Sequence, residues 1–283
     1  MRMTAALTVA TMIAFAANSL LARLALGNGS IDAASYTTLR ILSGAAFLFF
    51  LIRRRLGQAT ISNIPGNWPA AAALFVYAIA FSAAYLALGA ATGALVLFSS
   101  VQATMLVYGL IRGDRMTLRE LLGFTVAFLA FVYLILPGVS RPDPFGSLLM
   151  VISGVAWGVY TLRGRGSATP LADTAGNFLR ASAFCVPLGL YAISRGTASF
   201  TGVLLALASG IAASGLGYSL WYRTLPRLTT FQAALVQLSV PVIAALGAIV
   251  FLGEILTPRF IAASLFVLGG IAFAIMVKQM RGA

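Results

Sequence analysis

Two stretches of this sequence, 140 residues apart, are variants of one another. Residues 95–119 are LVLFSSVQATMLVYGLIRGDRMTLR, and residues 235–259 are LVQLSVPVIAALGAIVFLGEILTPR. The clearest matches are polar and lie near the end of each stretch, where the aligned pairs are Gly113 and Gly253, Asp114 and Glu254, Thr117 and Thr257, and Arg119 and Arg259. Apolar residues match often by chance, so the polar pairs carry the comparison. They indicate an internal repeat.

The same offset relates polar residues in other apolar stretches. It aligns Arg23 with Arg163, Arg40 with Arg180, and Ser99 with Ser239. A short gap is needed only around the third and eighth apolar stretches. We therefore expect two repeats, residues 1–140 and residues 141–283, which together form one structural unit.

The composition is that of a membrane protein. Of the 283 residues, 60% are hydrophobic and 9% are charged, whereas soluble domains carry roughly a quarter charged residues. Apolar runs recur from Met3 to Met280, which predicts an all-α integral membrane protein without extramembrane domains. The net charge of +13 comes from basic residues scattered between these runs, which argues against a nucleic-acid partner. Cys185 is the single cysteine, so neither an intrachain disulfide nor a cysteine-rich metal site can form.

Ten stretches are apolar enough to span the bilayer, which takes about 20 residues. They cover residues 5–26, 33–52, 68–89, 92–111, 118–136, 145–162, 171–193, 199–222, 229–252 and 258–277. Each repeat then holds five transmembrane helices. Because five is odd, the second copy crosses the membrane in the opposite sense, and the repeats are inverted. Inverted repeats are typical of secondary transporters, which alternate access to a site near the membrane midplane.

The basic residues predict that both termini are cytoplasmic, because short cytoplasmic loops retain Arg and Lys. The Arg53-Arg54-Arg55 run and most other basic residues then fall on the inner side, and far fewer fall on the outer side. An alternative is a cleaved secretory signal that ends near Ala14-Phe15-Ala16. The apolar run continues to Leu26, however, and cleavage would leave nine spans with the termini on opposite sides.

Three segments of the second half resemble the EamA-type transporters of the drug/metabolite transporter superfamily. They are LWYRTL at 220–225, ALVQLSVP at 234–241 and FLGE at 251–254. The first half is similar, with Asp114 where the pattern usually has Glu and Val101 where it often has Pro. The resemblance spans nearly the whole chain. It implies ten helices, a central cavity lined mainly by helices 1–4 and 6–9, and peripheral helices 5 and 10.

The resemblance also implies a function. Members of this family often export amino acids or other metabolites, and the bacterial aromatic amino acid exporters are the subgroup expected here. We therefore expect a multi-pass transporter of the inner cell membrane that exports a small metabolite, in particular an aromatic or hydrophobic amino acid. The motifs identify the superfamily and leave the substrate, the direction of transport and the oligomeric state open.

Two arginines, Arg40 and Arg180, lie within predicted helices and are repeat mates. They are about 10 Å and 14 Å from the nearer helix ends, at 1.5 Å per residue. Charged side chains at such depth are costly and usually face a cavity or a partner. One hypothesis is that they bind a substrate carboxylate. The alternative is that they snorkel to the interface or bond to carbonyls of neighbouring helices.

Aromatic and polar residues recur on the same helical faces. In helix 8, for example, Gly210, Ser214, Tyr218 and Tyr222 recur every four residues. A cavity walled by aromatic rings would suit a flat or apolar solute, although packing and interhelical hydrogen bonding are the alternatives. The candidate substrate-binding residues are Asn18, Arg40, Tyr77, Phe81, Tyr85, Ser99, Gln102, Trp157, Tyr160, Asn177, Arg180, Tyr218, Gln237 and Ser239.

The acidic residues all fall at helix ends or in loops, and the chain has no histidine. No proton carrier is therefore visible at membrane depth, and facilitated diffusion is the simplest mechanism. The alternatives are a proton-coupled exporter, a multidrug exporter of lipophilic cations, a channel and a membrane-embedded enzyme. Neither catalytic residues nor a metal site nor a cofactor is expected from these residues. The expected partners are a small-molecule substrate and the lipid bilayer.

Overall fold

The computed structural model describes residues 2–56, 64–113, 117–135, 142–164, 167–224 and 236–282, and this part of the chain is nearly all helical. Its helices, labelled in chain order, are α1 (Arg2–Gly27), α2 (Ala33–Leu56), α3 (Trp68–Ala84), α4 (Ala90–Ile111), α5 (Leu118–Ile135), α6 (Pro144–Gly164), α7 (Pro170–Arg195), α8 (residues 200–224), α9 (Ser239–Leu252) and α10 (Pro258–Gly282). Within these ranges the one extended contact is a β-bridge between Ile31 and Ala198. The all-α prediction is confirmed.

Within the described ranges, five helices are long and apolar enough to cross a membrane. They are Met3–Gly27, Ala33–Arg54, Ala90–Ile111, Pro144–Gly164 and Phe200–Trp221. The described residues also hold three shorter apolar helices, Trp68–Ala84, Ser239–Leu252 and Pro258–Ala274. This pattern is that of a multi-pass membrane protein.

The third helix is shorter than predicted, since it ends at Ala84 rather than at residue 89. Beyond it, the Leu86 N–H donates to the Ala83 carbonyl at 3.3 Å, and the Ala87 N–H donates to the Ala84 carbonyl at 3.1 Å. These bonds tighten the backbone into turns. Hydropathy does not register the change, because the turn residues are as apolar as the helix. The predicted start of the ninth span, residue 229, lies outside the described residues.

Helices that are five apart in chain order pack against each other or in matching pairs. The pairs α2 and α7, α4 and α9, and α5 and α10 are in direct contact. The contact of α3 with α6 is matched by that of α8 with α1, and the contact of α4 with α6 by that of α9 with α1. The pair α5 and α10 meets at Gly123, where an added Cβ would lie 2.7 Å from the Gly270 carbonyl oxygen. Small residues allow such close helix contacts in membranes.

The helix α8 changes its winding in the middle. Its first part is α-helical over Phe200–Ala208, its centre is π-helical over Ser209–Leu216, and α-helix resumes over Gly217–Thr224. In a π-helix the N–H bonds to the carbonyl five residues earlier, so residues five apart lie one turn apart. The centre of α8 packs closely on α2, because an added Cβ at Gly210 would lie 2.4 Å from the Arg40 carbonyl oxygen.

The acidic residues in the described ranges serve helix ends and connections. Glu254, which follows α9, accepts hydrogen bonds from the N–H groups of Ala90 at 2.6 Å and Ala91 at 3.3 Å. These are orphan donors at the start of α4, where a negative charge is also favourable. Similar local hydrogen bonds are accepted by Glu120, Asp143 and Asp173. Their oxygens are therefore engaged away from the centre of the molecule.

Asp32, between α1 and α2, holds the connection from α7 to α8. Its Oδ1 accepts from the N–H groups of Ala34 at 3.0 Å and Ser35 at 2.9 Å, and its Oδ2 accepts from the Thr197 N–H at 2.8 Å. Partial burial raises the pKa of Asp32, but these hydrogen bonds and one from the Ser35 hydroxyl outweigh that effect and lower the pKa below its ordinary value of 3.8. The carboxylate is thus the form that stabilises this connection.

Candidate functional site

A small cavity lies at the meeting point of α1, α2, α3, α4, α6 and α8. It is lined by Phe15, Asn18, Ser19, Arg40, Tyr77, Phe81, Leu97, Phe98, Trp157, Ala213, Ser214 and Tyr218. Its volume is about 30 Å³, enough for roughly two water molecules. An organic solute needs a pocket of at least about 300 Å³, so this conformation is contracted around the site.

Arg40 of α2 is the charged group of the cavity and is 3% exposed. Its Nη2 donates to the Tyr77 hydroxyl at 2.8 Å, and its Nε donates to the Ser214 hydroxyl at 3.3 Å. The guanidinium carbon lies 5.0 Å from the ring centre of Tyr77 and 4.8 Å from that of Phe81. Its Nη1 is buried and has no hydrogen-bond partner in the described structure. The guanidinium therefore keeps unused donor capacity beside the cavity.

The charge of Arg40 is held by neutral groups. Both hydroxyl partners are uncharged, and none of the cavity-lining residues is Asp or Glu. A buried guanidinium is always protonated, and leaving a buried charge without a counterion costs several kcal/mol. The two aromatic faces offset part of that cost. A site of this kind is electrostatically complementary to an anion.

A hydroxyl and amide network fixes the groups around Arg40. The Tyr77 hydroxyl also accepts from Asn18 Nδ2 at 3.2 Å, and Asn18 Oδ1 accepts from the Ser209 hydroxyl at 2.6 Å. These bonds join α1, α3 and α8 across the centre of the molecule. Ser153 of α6 adds a bond from its hydroxyl to the Tyr77 carbonyl at 3.0 Å. Arg40 is thus positioned by side chains that are themselves restrained.

The π-helical centre of α8 determines which hydroxyls face this network. Ser209 bonds to Asn18, and Ser214 bonds to Arg40, although the two serines are five residues apart. In a regular α-helix, residues five apart diverge in direction, whereas in a π-helix they lie one turn apart. The sequence pattern had grouped Gly210 with Ser214 at an α-helical spacing. The structure uses Gly210 for close packing and Ser209 for hydrogen bonding.

Aromatic rings form a wall of the cavity beside the polar groups. The Trp157 ring centre lies 4.8 Å from that of Tyr77 and 5.2 Å from that of Tyr218. Tyr160 stacks on Trp157 at 5.4 Å, and Phe15 lies 5.9 Å from Tyr218. Offset and tilted pairs at these distances are favourable. They give the cavity an apolar side that matches a planar ring.

The structure brings together part of the candidate set from the sequence. Six of these residues line the cavity, namely Asn18, Arg40, Tyr77, Phe81, Trp157 and Tyr218. Two support this group from behind: Tyr160 stacks on Trp157, and Tyr85 packs edge-on against Phe81 at 4.7 Å. Tyr85 is fully buried and follows the end of α3.

Other candidates lie away from the cavity. Ser99 lines a separate, mostly apolar cavity of about 570 Å³ between α4, α5, α6 and α10, and its hydroxyl donates to the Leu95 carbonyl at 2.7 Å. The Ser239 hydroxyl donates to the Val236 carbonyl at 2.6 Å. Gln102 is buried and Gln237 half-buried, and both lie outside the cavity lining.

Arg180 and Asn177 of α7 hold the segment that precedes α3. Arg180 Nη1 donates to the carbonyls of Gly176 at 3.0 Å and Pro65 at 3.4 Å. Asn177 Oδ1 accepts from the Asn67 N–H at 2.9 Å. Of the two arginines predicted within helices, Arg40 therefore faces the cavity and Arg180 bonds to backbone carbonyls.

Some lining residues were not in the candidate set. They are Phe15, Ser19, Leu97, Phe98, Ala213 and Ser214. Ser214 carried a signal, since it falls on the face of helix 8 that contains Tyr218. The apolar members carried none, because their types are the same as those that face lipid elsewhere in the chain.

Comparison with known proteins gives consistent matches. Residues 144–276 match the EamA-like transporter family. An uncharacterized protein of Pseudomonas aeruginosa is 52% identical over 282 residues, which cover 100% of this chain and 98% of that protein. A threonine/homoserine exporter of Escherichia coli is 32% identical over 123 residues, which cover 42% of this chain and 41% of the exporter.

A solved structure also has the same fold. It aligns with a TM-score of 0.64 at 22% sequence identity and covers 96% of this chain and 99% of its own. Together with the family match and the full-length relative, these findings establish what kind of protein this is. The chain belongs to the EamA-like transporter family and is a multi-pass membrane transporter.

Proposed function

We propose that this protein exports a small carboxylated metabolite, with aromatic or hydrophobic amino acids as the leading substrates, across the inner cell membrane. The observation that carries the proposal is the buried Arg40 guanidinium, whose Nη1 has no described partner and which lies beside a wall of aromatic rings. Export is suggested by the threonine/homoserine exporter among the relatives. The residues themselves set no direction.

The substrate carboxylate would bind Arg40, and its side chain would lie against the aromatic wall. Nη1 offers the vacant donor, and a charge-assisted bond of this kind is stronger than a neutral one. The ring would pack between Trp157 and Tyr218, whose centres are 5.2 Å apart in the contracted cavity and would have to separate. Asn18 and Ser214 would fix the orientation through hydrogen bonds.

An inverted pair of five-helix repeats, residues 1–140 and 141–283, is the architecture that we propose for this transporter, with ten spans and cytoplasmic termini. The matching helix contacts described above support it. So do the two helix ends with positive φ, at Gly113 (φ 93°) and Gly253 (φ 64°), which are related by the repeat offset. Thr117 and Thr257, at the same offset, each accept an N–H at the start of the following helix.

Alternating access would open the contracted cavity to one side at a time. The cavity volume of about 30 Å³ requires expansion before a metabolite can bind. The close contact of α2 with α8 at Gly210 would be one surface that moves as a unit, since the backbones touch there. Substrate binding would then favour the expanded states.

The positions of the acidic residues favour facilitated transport without proton coupling. Each described carboxylate is engaged at a helix end or a connection. A proton-coupled exporter would need a titratable group that competes with substrate in the cavity. A multidrug exporter of lipophilic cations is disfavoured by the charge of Arg40, and neither a channel nor an enzyme is supported by a specific observation.

Uptake into proteoliposomes tests the proposal. The purified protein would be reconstituted and supplied with labelled tryptophan, phenylalanine, threonine or glutamate, with and without a pH gradient, and protein-free liposomes would serve as the control. We expect saturable uptake of the aromatic amino acids that does not need the gradient. Uptake only with the gradient would indicate proton coupling, and no uptake of any amino acid would contradict the choice of amino acids as the leading substrates.

A further inference from the structure

The net charge of the binding site restricts the net charge of what it carries. Arg40 contributes one permanent positive charge at 3% exposure. Five of the six acidic residues in the chain are described, and all five are engaged at helix ends or connections. The sixth, Asp114, follows the end of α4 in the sequence and lies outside the described residues. The described cavity therefore holds a positive charge and no negative one.

Three neutral oxygens close to Arg40 already accept hydrogen bonds. The Tyr77 hydroxyl accepts from both Arg40 and Asn18, at 2.8 Å and 3.2 Å. Asn18 Oδ1 accepts from Ser209 at 2.6 Å, and the Ser214 hydroxyl accepts from Arg40 at 3.3 Å. A substrate ammonium group needs acceptors or a carboxylate, and a second cation near Arg40 would be repelled.

We propose that the preferred substrate is a monoanion, an aryl or alkyl carboxylate without an ammonium group, and that each one transported moves one net negative charge across the membrane. The proposal rests on the proposed carboxylate site at Arg40 and, among the carboxylated metabolites of that proposal, places anions ahead of the zwitterionic amino acids. An anion neutralises the buried guanidinium when the cavity closes around it, whereas a zwitterion leaves the closed site with its full positive charge. Closing a neutral complex away from water costs less.

If each substrate carries one negative charge, the membrane potential sets the direction of transport, which the residues of a facilitator do not. A membrane potential of 100 mV, negative inside, drives a monovalent anion outwards with a concentration ratio of roughly 50-fold at equilibrium. A zwitterion feels no such force. Export of an anion would therefore need neither a proton carrier nor a coupling ion.

Three probes that each carry a phenyl ring distinguish the possibilities. They are the anion 3-phenylpropionate, the zwitterion phenylalanine and the cation phenethylamine. Reconstituted full-length protein would be assayed for saturable transport and for current under a potassium diffusion potential. Protein-free liposomes report passive entry of the uncharged acid, which carries no current.

We expect protein-dependent current with 3-phenylpropionate and a kcat/KM about tenfold or more above that for phenylalanine. Arg40→Gln should collapse this ratio, because the fixed charge is lost, and Arg40→Lys should retain most of it. A change in the ratio is specific to charge recognition, since a merely damaged protein would lose both activities together.

The outcomes distinguish this proposal from the broader one. If phenylalanine is carried as efficiently as 3-phenylpropionate, and neither solute produces a current, the anion proposal is overturned and amino acid transport still stands. The ammonium would then be held on the faces of Trp157 and Tyr218 as a cation–π contact. If only phenethylamine is carried, or none of the three, the carboxylate site itself is wrong and both proposals fall.

Discussion

Arg40 and Arg180 are separated by the offset of the two proposed repeats and have different surroundings. Arg40 is buried beside the central cavity and donates to side-chain hydroxyls. Arg180 donates to the backbone carbonyls of Gly176 and Pro65. Two arginines aligned by one sequence offset therefore serve a candidate binding site in the first half and a chain connection in the second.

The two connections explain the difference. The N-cap of α3 is Asn67 and that of α8 is Ser199, an offset of 199 − 67 = 132 residues, whereas Gly113 and Gly253 keep the offset of 253 − 113 = 140. From Arg40 to the N-cap of α3 the chain therefore runs 67 − 40 = 27 residues, whereas from Arg180 to the N-cap of α8 it runs 199 − 180 = 19, which is eight fewer. Its last residues fold over α7 so closely that an added Cβ at Gly176 would lie 1.6 Å from the Pro65 carbonyl oxygen. That carbonyl fills the space that Arg180 would otherwise face.

The shorter connection is held differently. Residues 196–199 link α7 to α8 and bond to Asp32 and Ser30 in the turn between α1 and α2, with the Ser199 N–H donating to the Ser30 carbonyl at 2.8 Å. Nothing from this connection reaches Arg40 among the described contacts. The side chain stays available to the cavity.

Removing each arginine charge in turn tests most directly whether Arg40 and Arg180 have different roles. Arg40→Gln should lower kcat/KM for a carboxylated substrate about 100-fold, because a buried charged hydrogen bond is worth up to about 3 kcal/mol. Arg180→Gln should change it less than about threefold and lower the free energy of unfolding by about 1 kcal/mol. Proteoliposome uptake and thermal unfolding of the two variants would be compared. Equal losses of transport in both would contradict the distinction.

The glycines that bring backbones together near each arginine offer a second comparison. Gly210→Ala would place Cβ 2.0 Å from Ser43 Oγ, and Gly176→Ala would place it 1.6 Å from the Pro65 carbonyl oxygen. Both should destabilise the protein by about 1–3 kcal/mol through overpacking. Only Gly210→Ala should also impair transport, since it displaces α2 at Arg40.

Gly269→Ala is the matched control for these variants, because no atom lies within 4 Å of the Cβ it would add. It should unfold at the wild-type temperature or slightly higher. If Gly210→Ala and Gly269→Ala have the same unfolding temperature, the close contact of α2 with α8 is wrong.

The hydroxyl partners of Arg40 should contribute less than the charge itself. Tyr77→Phe removes the acceptor shared by Arg40 and Asn18 and should reduce substrate affinity about tenfold, because it leaves two buried donors unpaired. Ser214→Ala removes an acceptor at the longer distance of 3.3 Å and should cost about threefold. Binding constants measured by calorimetry on the purified protein give the order. The reverse order would show that the π-helical segment positions Arg40 more than α3 does.

The smallest effect concerns the short connection that Asp32 holds. Asp32→Asn should lower the free energy of unfolding by less than about 1 kcal/mol at pH 7, since the group is partly exposed and Asn is itself a good cap. The pKa of Asp32 is lowered in the folded protein, so its contribution is complete above pH 3.8 and is lost as the pH falls below that value. Unfolding of the wild type and the variant, measured from pH 7 down to pH 3, should converge. A difference that persists at the lowest pH would mean that the carboxylate charge is not the cause.

Much of the architecture could be predicted from residue order alone. The apolar runs predict helices because a bilayer leaves no other way to satisfy backbone polar groups along a single segment. Most of the predicted helix limits lie within a few residues of the observed ones, as with residues 92–111 and the observed Ala90–Ile111. The early end of α3 was missed, because its turn residues are as hydrophobic as the helix.

Six of the fourteen candidate site residues line the cavity. Tyr77 and Phe81 were in the candidate set, and they share a face of α3 because residues four apart lie on the same side of a regular α-helix. Ser209 was missed because the π-helical winding of α8 changes which residues share a face. Arg180 was grouped with Arg40 because the two are aligned by the offset of 140 residues. That offset gives no information about the connection that covers Arg180.

The helical class and the presence of charged residues at membrane depth follow from hydropathy and from position along one helix, so residue order suffices to predict them. Which arginine faces the cavity follows only from the tertiary contacts. One cause is that the chain from Arg40 to α3 is eight residues longer than the chain from Arg180 to α8, and its end packs on α7. The other is the local change of winding in α8. Both act between segments that are distant in sequence. A buried charge takes its role from the groups that surround it.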